Sequence, residues 1–317
     1  MLLAASVATL PKDSNNLFSS ANKEALLADV DEQGNAESEL QLADSENSTF
    51  LPEDIFGNSK KIRGRKRRGG GKHGGGRHGK LLQYCLGGGN CFTLNDVTVY
   101  PVYWGTNWAS TSYQLDVLTS NEHFYSHLTN TPYLNVLNQY FNGATGSVSF
   151  GQNFVVTSSS HMTQREIQTR TGQEACRLAQ QNGITNPNSY FPVFVDWPRG
   201  GAQFCAFHSA INCRVNGKNV FLNFGFFFDL RNDNACTVGP RNTKGRSQAA
   251  ANLANAGMHE LIETMTDPGG HGWHTTGPGY EIGDLCEAQI APITLNDGSS
   301  YVIQAEYSDA AGTCVWK

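Results

Sequence analysis

Met258-His259-Glu260-Leu261-Ile262-Glu263-Thr264-Met265-Thr266-Asp267-Pro268 carries the strongest structural signal in the chain. It closes an Ala-rich run, residues 247–266, that reads as one long helix, with apolar Leu261 and Ile262 beside the polar residues. On a helix His259 and Glu263 stand at i and i+4, so they share a face about 6 Å apart. Two ligand-type side chains on adjacent turns are how a helix presents a metal ion. Glu260 is one residue on, rotated by about 100°.

A second segment follows: Tyr280-Glu281-Ile282-Gly283-Asp284-Leu285-Cys286. In H-E-x-x-H metalloproteases the position of Glu260 holds the general base; here the fifth position is Glu, giving H-E-x-x-E. A catalytic zinc takes three protein ligands, so His259 and Glu263 need a third, and Glu281 is the first candidate. Asp284, three residues later, is expected to orient His259 through its second ring nitrogen. Asp267, His271 and His274 compete as ligands, and the two histidines, in a Gly-rich loop, are equally candidates for substrate contact. Two carboxylates and one imidazole neutralise a divalent ion and weaken it as a Lewis acid. That leaves zinc as the first expectation, with manganese and calcium as harder alternatives.

Charge distribution sharpens the point. Residues 1–80 carry 12 basic and 11 acidic residues, and residues 81–317 carry 11 and 17. The 237-residue body is therefore sparsely charged, at about half the usual density of roughly 25%. Six of its acids (Glu260, Glu263, Asp267, Glu281, Asp284, Glu287) fall within 28 residues that hold no Lys or Arg. Acids gathered where charge is scarce require a cation. An acidic body argues against nucleic acid as its partner, and no apolar window is long enough for a membrane span.

Around the motif, residues 97–104 and 191–197 read as strands, 112–128 and 131–141 as helices, and 147–156 as a strand or hairpin. Thr163 opens a capping box with Glu166 for a helix ended by Gly183. The Phe-rich run 220–228 reads as a central strand, and short strands follow at 291–295 and 300–307. This is an α+β body, a mixed sheet with a metal-site helix and a disulfide-linked C-terminal subdomain. No G-x-S-x-G or phosphate loop occurs. A Cys205/His208 nucleophile pair is disfavoured because an oxidised Cys205 cannot attack, and Asp196-Trp197 reads as packing at a strand end.

All eight cysteines (Cys85, Cys91, Cys176, Cys205, Cys213, Cys236, Cys286, Cys314) follow residue 80. Their even number, without C-x-x-C, points to four disulfides in an oxidising compartment, with connectivity open. Residues 1–10 resemble the tail of a truncated signal segment. Residues 11–68 read as a pro-region, containing the sequon Asn47-Ser48-Thr49 and ending at Arg65-Lys66-Arg67-Arg68, a site suited to a convertase-type processing protease. Residues 69–92 form a basic Gly/His linker in which His73 and His78 are loose metal candidates, and residues 60–80 could bind a polyanion. The globular domain is set at 93–317, secreted to the extracellular space or cell wall.

The H-E-L-I-E-T-M-T-D-P string, Trp273 and E-I-G-D-L-C resemble secreted proteins related to the plant phosphate-induced or exordium-like family and similar zincin-like microbial proteins. The segments 99–105 and 204–209 fit the same likeness. The plan of a later Glu completing the site with a nearby Asp also looks like that of gluzincins. The resemblance implies an α/β zincin-like core over residues 93–317, with metal on His259, Glu263 and Glu281 and Glu260 as base. The activity expected from it is a metal-dependent endopeptidase acting on protein or peptide. The same family resemblance also implies an alternative, a non-enzymatic signalling or matrix protein with a structural metal.

Overall fold

The computed structural model describes residues 7–9, 82–85, 91–276, 280–287 and 289–317. The pro-region with its sequon and basic cleavage site, His73 and His78, the 60–80 segment and most of residues 1–10 lie outside the described residues. Within the described part, fourteen strands and three α-helices follow in order: β1 (Val7–Thr9), β2 (Leu82–Tyr84), β3 (Asp96–Val99), β4 (Val102–Trp104), α1 (Thr111–Ser126), β5 (Ser147–Phe150), β6 (Phe154–Val156), α2 (Ile167–Asn182), β7 (Ser189–Pro198), β8 (Ala206–Val215), β9 (Lys218–Asp229), α3 (Gln248–Thr266), β10 (Trp273–Thr275), β11 (Ile290–Thr294), β12 (Ser300–Gln304), β13 (Glu306–Ser308) and β14 (Thr313–Val315). A 3-10 helix covers Pro132–Gln139.

The architecture is mixed α+β around a largely parallel sheet. Strand β7 is its axis. One edge of β7 runs parallel to β9, and the other runs parallel to β3 and β4 placed end to end. Beyond these, β5 lies parallel to β3, β6 parallel to β4, and β1 antiparallel to β6. The sheet becomes mixed at its other margin, where β8 pairs antiparallel with β9 along ten registered residues.

Three strand readings change, the simplest being 300–307, which is split into β12, paired with β11, and β13, paired with β14. Residues 97–104 are two strands rather than one, because Pro101 has no N–H for the ladder and the chain switches neighbours there from β5 to β6. Residues 147–156 form no hairpin. β5 and β6 each run parallel to a segment of the neighbouring strand, broken at Gly151, where a Cβ would strike the Tyr100 ring.

Alternate residues of a strand face opposite sides, and the two sides have separate covers. Tyr190 of β7 joins a cluster with Met258, Leu261, Ile262 and Met265 of α3 and Phe124 of α1. Phe191 and Val193 face Ala175, Leu178 and Ala179 of α2. Helix α3 is buried on nearly every side. Its N-terminus is capped by Ser247, whose side chain accepts from the Ala250 N–H. Thr163 does not cap α2, which starts at Ile167 with Glu166 at its N-cap; the Thr163 N–H and hydroxyl instead donate to Glu166 Oε2 (2.8 and 2.6 Å) in the turn before it.

All eight cysteines pair: Cys85–Cys91, Cys176–Cys213, Cys205–Cys236 and Cys286–Cys314. Four disulfides are compatible with an extracellular protein, and none of the described helices is long and apolar enough to cross a membrane. Residues 82–85, inside the segment read as linker, pair with β10. The C-terminal strands contribute Ile293, Tyr301 and Ile303 to the core of α3 rather than forming a core of their own. Cys286–Cys314 closes a 28-residue loop. Replacing both by Ser should destabilise the domain by about 3 kcal/mol, read as a lower guanidinium midpoint with an unchanged slope. An unmoved midpoint would show that the bridge constrains nothing.

Candidate metal centre

Helix α3 places His259, Glu260 and Glu263 together as its periodicity requires, and His259 Nε2 lies 3.2 Å from Glu263 Oε2. Tertiary structure adds the rest. The antiparallel strand β8 delivers His208 onto the same face. Its Nδ1 is 3.4 Å from Glu260 Oε2 and 3.6 Å from Glu263 Oε2, and its Nε2 is 3.5 Å from Glu281 Oε1. Glu281 arrives on the loop after β10. Asp267, at the end of α3, pairs with His274 Nδ1 (3.3 Å) and accepts from the Gly272 N–H.

These groups are removed from water: Glu260 is 5% exposed, Glu263 3%, and the His208 side chain 7%. The cluster meets solvent on the side of His259 and Asp284, whose side chains are 19% and 40% exposed. In the described ion pairs its positive partners are histidines alone. Burial opposes the charged form of His208, but the charge of Glu281 and hydrogen bonds donated to Glu260 and Glu263 outweigh it and lift the imidazole pKa well above its usual value. The same balance, dominated by Glu263, lifts His259. Burial pushes the Glu281 carboxyl well above the usual range despite His208, with Glu263 and Asp267 adding to the rise. Burial also favours the neutral form of Glu263, but His259 and His208 prevail and hold it low. Behind the cluster, fully buried Glu306 is pushed up to about 8 by desolvation. Its Oε1 accepts from the Tyr133 hydroxyl at 2.6 Å.

A divalent cation suits this donor set. Ligand bonds of 2.0–2.2 Å in a tetrahedron put neighbouring donors about 3.3–3.6 Å apart; the His259 Nε2–Glu263 and His208 Nδ1–Glu263 separations are 3.2 and 3.6 Å, while Glu281 approaches the opposite nitrogen of His208, Nε2, at 3.5 Å. Buried Glu281 Oε1 has no hydrogen-bond partner, which a cation would supply. Two sets of donors lie within 4.8 Å of one another, His259–Glu260–Glu263 and His208–Glu263–Glu281. Glu263 is their common member. The trio expected from sequence, His259, Glu263 and Glu281, is thus divided between two sets, and His208 is the residue that sequence reading missed as a ligand. His208 supplies from β8 the second imidazole that the fifth position of H-E-x-x-E lacks.

The supporting residues also differ from expectation. Asp284 lies 3.8 Å from His259 Nε2, the nitrogen that Glu263 also meets, and its backbone N–H donates to Glu263 Oε1 (3.2 Å). The second nitrogen, Nδ1, faces the Gln304 amide nitrogen at 3.0 Å, and that amide also donates to the Gly283 carbonyl (2.7 Å). The proton of a neutral His259 ring therefore sits on Nε2; to offer a lone pair there the ring must carry its proton on Nδ1 instead, and the Gln304 amide must turn away. His271 stays out of the cluster, stacked on Phe92. Cys205 is bonded to Cys236 and has no thiol to offer. Asp196 serves the backbone, accepting from the Asn107 N–H and the Ser160 hydroxyl (both 2.8 Å).

Two expectations arise from this geometry. A Cβ at Gly283 would lie 2.6 Å from His259 Nδ1 and 2.9 Å from Glu263 Oε1. Gly283→Ala should therefore weaken metal binding at least tenfold in a calorimetric titration while the protein stays folded; undiminished affinity would show that the cradle tolerates the methyl. The second concerns pH. A base whose folded pKa exceeds its unfolded value stabilises fully below the unfolded pKa, near 6.5 for His, and that contribution is lost as pH rises through the folded value. His208 and His259 are such bases, and Glu281, whose carboxyl pKa is raised by burial, acts in the same direction. The contribution of Glu263, whose pKa is lowered, is lost only under acid conditions. Protein in chelator should melt lower at pH 9 than at pH 6, and metal should flatten that dependence. A pH-independent melt in chelator would contradict it.

Comparison with protein-family models and with curated proteins gives no match.

Proposed function

We propose that this chain is a secreted metal-dependent hydrolase, of endopeptidase type, made as a proprotein and cleaved after Arg65-Lys66-Arg67-Arg68. The observation that carries this reading is buried Glu260, 3.4 Å from His208 and one residue from His259, beside a donor set that suits a divalent ion. His208, Glu263 and Glu281 are the groups that would hold the ion, which leaves Glu260 free to act as a base beside it, with His259 on the solvent side. Mixed imidazole and carboxylate donors favour zinc, then manganese, over calcium, which prefers oxygen alone. A bound ion supplies Lewis acidity towards a peptide carbonyl. Glu260 has the position of a general base, its carboxylate taking the proton of the attacking water and passing it to the leaving amine.

A second reading rests on burial. With Glu260 and Glu263 almost wholly enclosed, the ion would serve as a structural cross-link between α3, β8 and the 281–287 loop of a non-enzymatic extracellular protein. Elemental analysis of the purified protein, combined with peptide-library digestion by wild type and Glu260→Gln, separates the two. An enzyme loses turnover and keeps its metal; a structural protein cleaves nothing in either form.

A further inference from the structure

A second histidine cluster stands apart from α3. His123 and His127 occupy i and i+4 of the last turn of α1 and its cap, and Asp297 sits on the turn between β11 and β12. One nitrogen of each ring and a carboxylate oxygen of Asp297 lie within 4.8 Å of one another. The rings are stacked, with centroids 4.6 Å apart. His123 Nε2 is 2.8 Å from Asp297 Oδ2.

What distinguishes this cluster from a chance surface group is the support behind each donor. His127 Nδ1 lies 2.8 Å from the His123 carbonyl, to which it can only donate, so its free lone pair is on Nε2. The Tyr301 hydroxyl donates to the Ser120 carbonyl (3.0 Å) and so accepts from His123 Nδ1 (3.0 Å), leaving the His123 lone pair also on Nε2. Asp297 Oδ1 accepts from the Ser299 N–H and hydroxyl (3.0 and 2.7 Å), which leaves Oδ2 for the cluster. The turn itself is fastened to α1, since the Asn296 N–H donates to the His127 carbonyl (3.1 Å). At 2.8 Å a proton bridges His123 Nε2 and Asp297 Oδ2, and an ion would take the place of that proton with the two donors parting by about half an ångström. The helix C-terminus favours positive charge at this point. Arg246 lies over the Tyr301 ring at 3.4 Å and donates to the Ser300 carbonyl (2.9 Å).

We infer that His123, His127 and Asp297 form a second divalent-metal site, of zinc type, that clips the β11–β12 turn to the end of α1. Two imidazoles and one carboxylate with open positions suit zinc and related first-row ions. Ligand rings whose distal nitrogens are already hydrogen-bonded are the usual mark of such sites.

The test is a zinc titration of the full chain, followed by calorimetry and elemental analysis, with His73→Gln and His78→Gln introduced to silence the linker imidazoles. In that background Glu263→Gln should still bind one zinc per chain. Adding His127→Gln should weaken that binding at least 100-fold, and Asp297→Asn should do likewise. Tyr301→Phe, which removes only the support of His123, should weaken it about 10–100-fold. If the α3 cluster is not a metal centre, Glu263→Gln alters no stoichiometry and the His127→Gln loss remains, so the two proposals fail separately. Zinc binding by the Glu263→Gln chain that is absent, or unchanged by His127→Gln, would overturn the second site and leave His123 and Asp297 as a proton-bridged ion pair.

Discussion

His208→Ala is expected to strip tightly bound metal from the protein and to lower its melting temperature in metal by about 10 °C. An ion present at a thousand times its dissociation constant adds about 4 kcal/mol to the folded state, and 1 kcal/mol is worth about 2–4 °C for a domain of this size. His208 is also the partner of three buried carboxylates, being 3.4–3.6 Å from Glu260, Glu263 and Glu281. Removing it from the metal-free protein leaves those acids facing His259, and breaking a buried pair in this way costs about 3–5 kcal/mol. The variant should therefore melt lower in chelator as well, and gain little when metal is returned. His208→Gln, which keeps volume and a donor, separates the two effects: it should stay closer to wild type in chelator yet fail to recover metal. Wild-type metal content in both variants would confine the centre to His259, Glu260 and Glu263.

Glu260→Gln is expected to lower peptide turnover by about 10²–10⁴-fold, the range of a lost general base, with metal content unchanged. The amide keeps the shape of the carboxylate and cannot take a proton. Glu260 also belongs to one of the two donor sets, so metal content is the deciding readout. If Glu260→Gln loses metal in proportion to activity, Glu260 is a ligand and the base lies elsewhere. If wild type itself cleaves no peptide with zinc or manganese between pH 7 and 9, the structural reading of the ion stands.

Much of the frame was legible because its signals are local. The Ala-rich body of α3 and the spacing of His259 and Glu263 lie within a few turns of one helix. The run 220–228 is too apolar and too aromatic for anything but a buried strand, and it became β9, paired on both sides. The even cysteine count foretold complete pairing, because an oxidising compartment leaves few free thiols.

Strand β8 was not legible, and with it His208 was lost. Ala206-Phe207-His208-Ser209-Ala210-Ile211-Asn212 has little strand propensity and no clean alternation. It is a strand because β9 offers it an open edge and because Cys176–Cys213 and Cys205–Cys236 hold it there. Nothing in the spacing links His208 to Glu260, 52 residues away. Gln304 was invisible for the same reason, standing 45 residues from the ring it contacts.

The sequence by itself determined that α3 would present an imidazole and two carboxylates on one helix, in a region without lysine or arginine, because helical periodicity and charge count are properties of neighbouring residues. Only the tertiary structure decided which histidine completes the cluster, which amide meets His259, and how the expected ligand trio divides around Glu263. Those choices depend on which strand fills a sheet edge and how a disulfide-held loop returns to the helix, and long-range packing leaves no periodic trace along the chain.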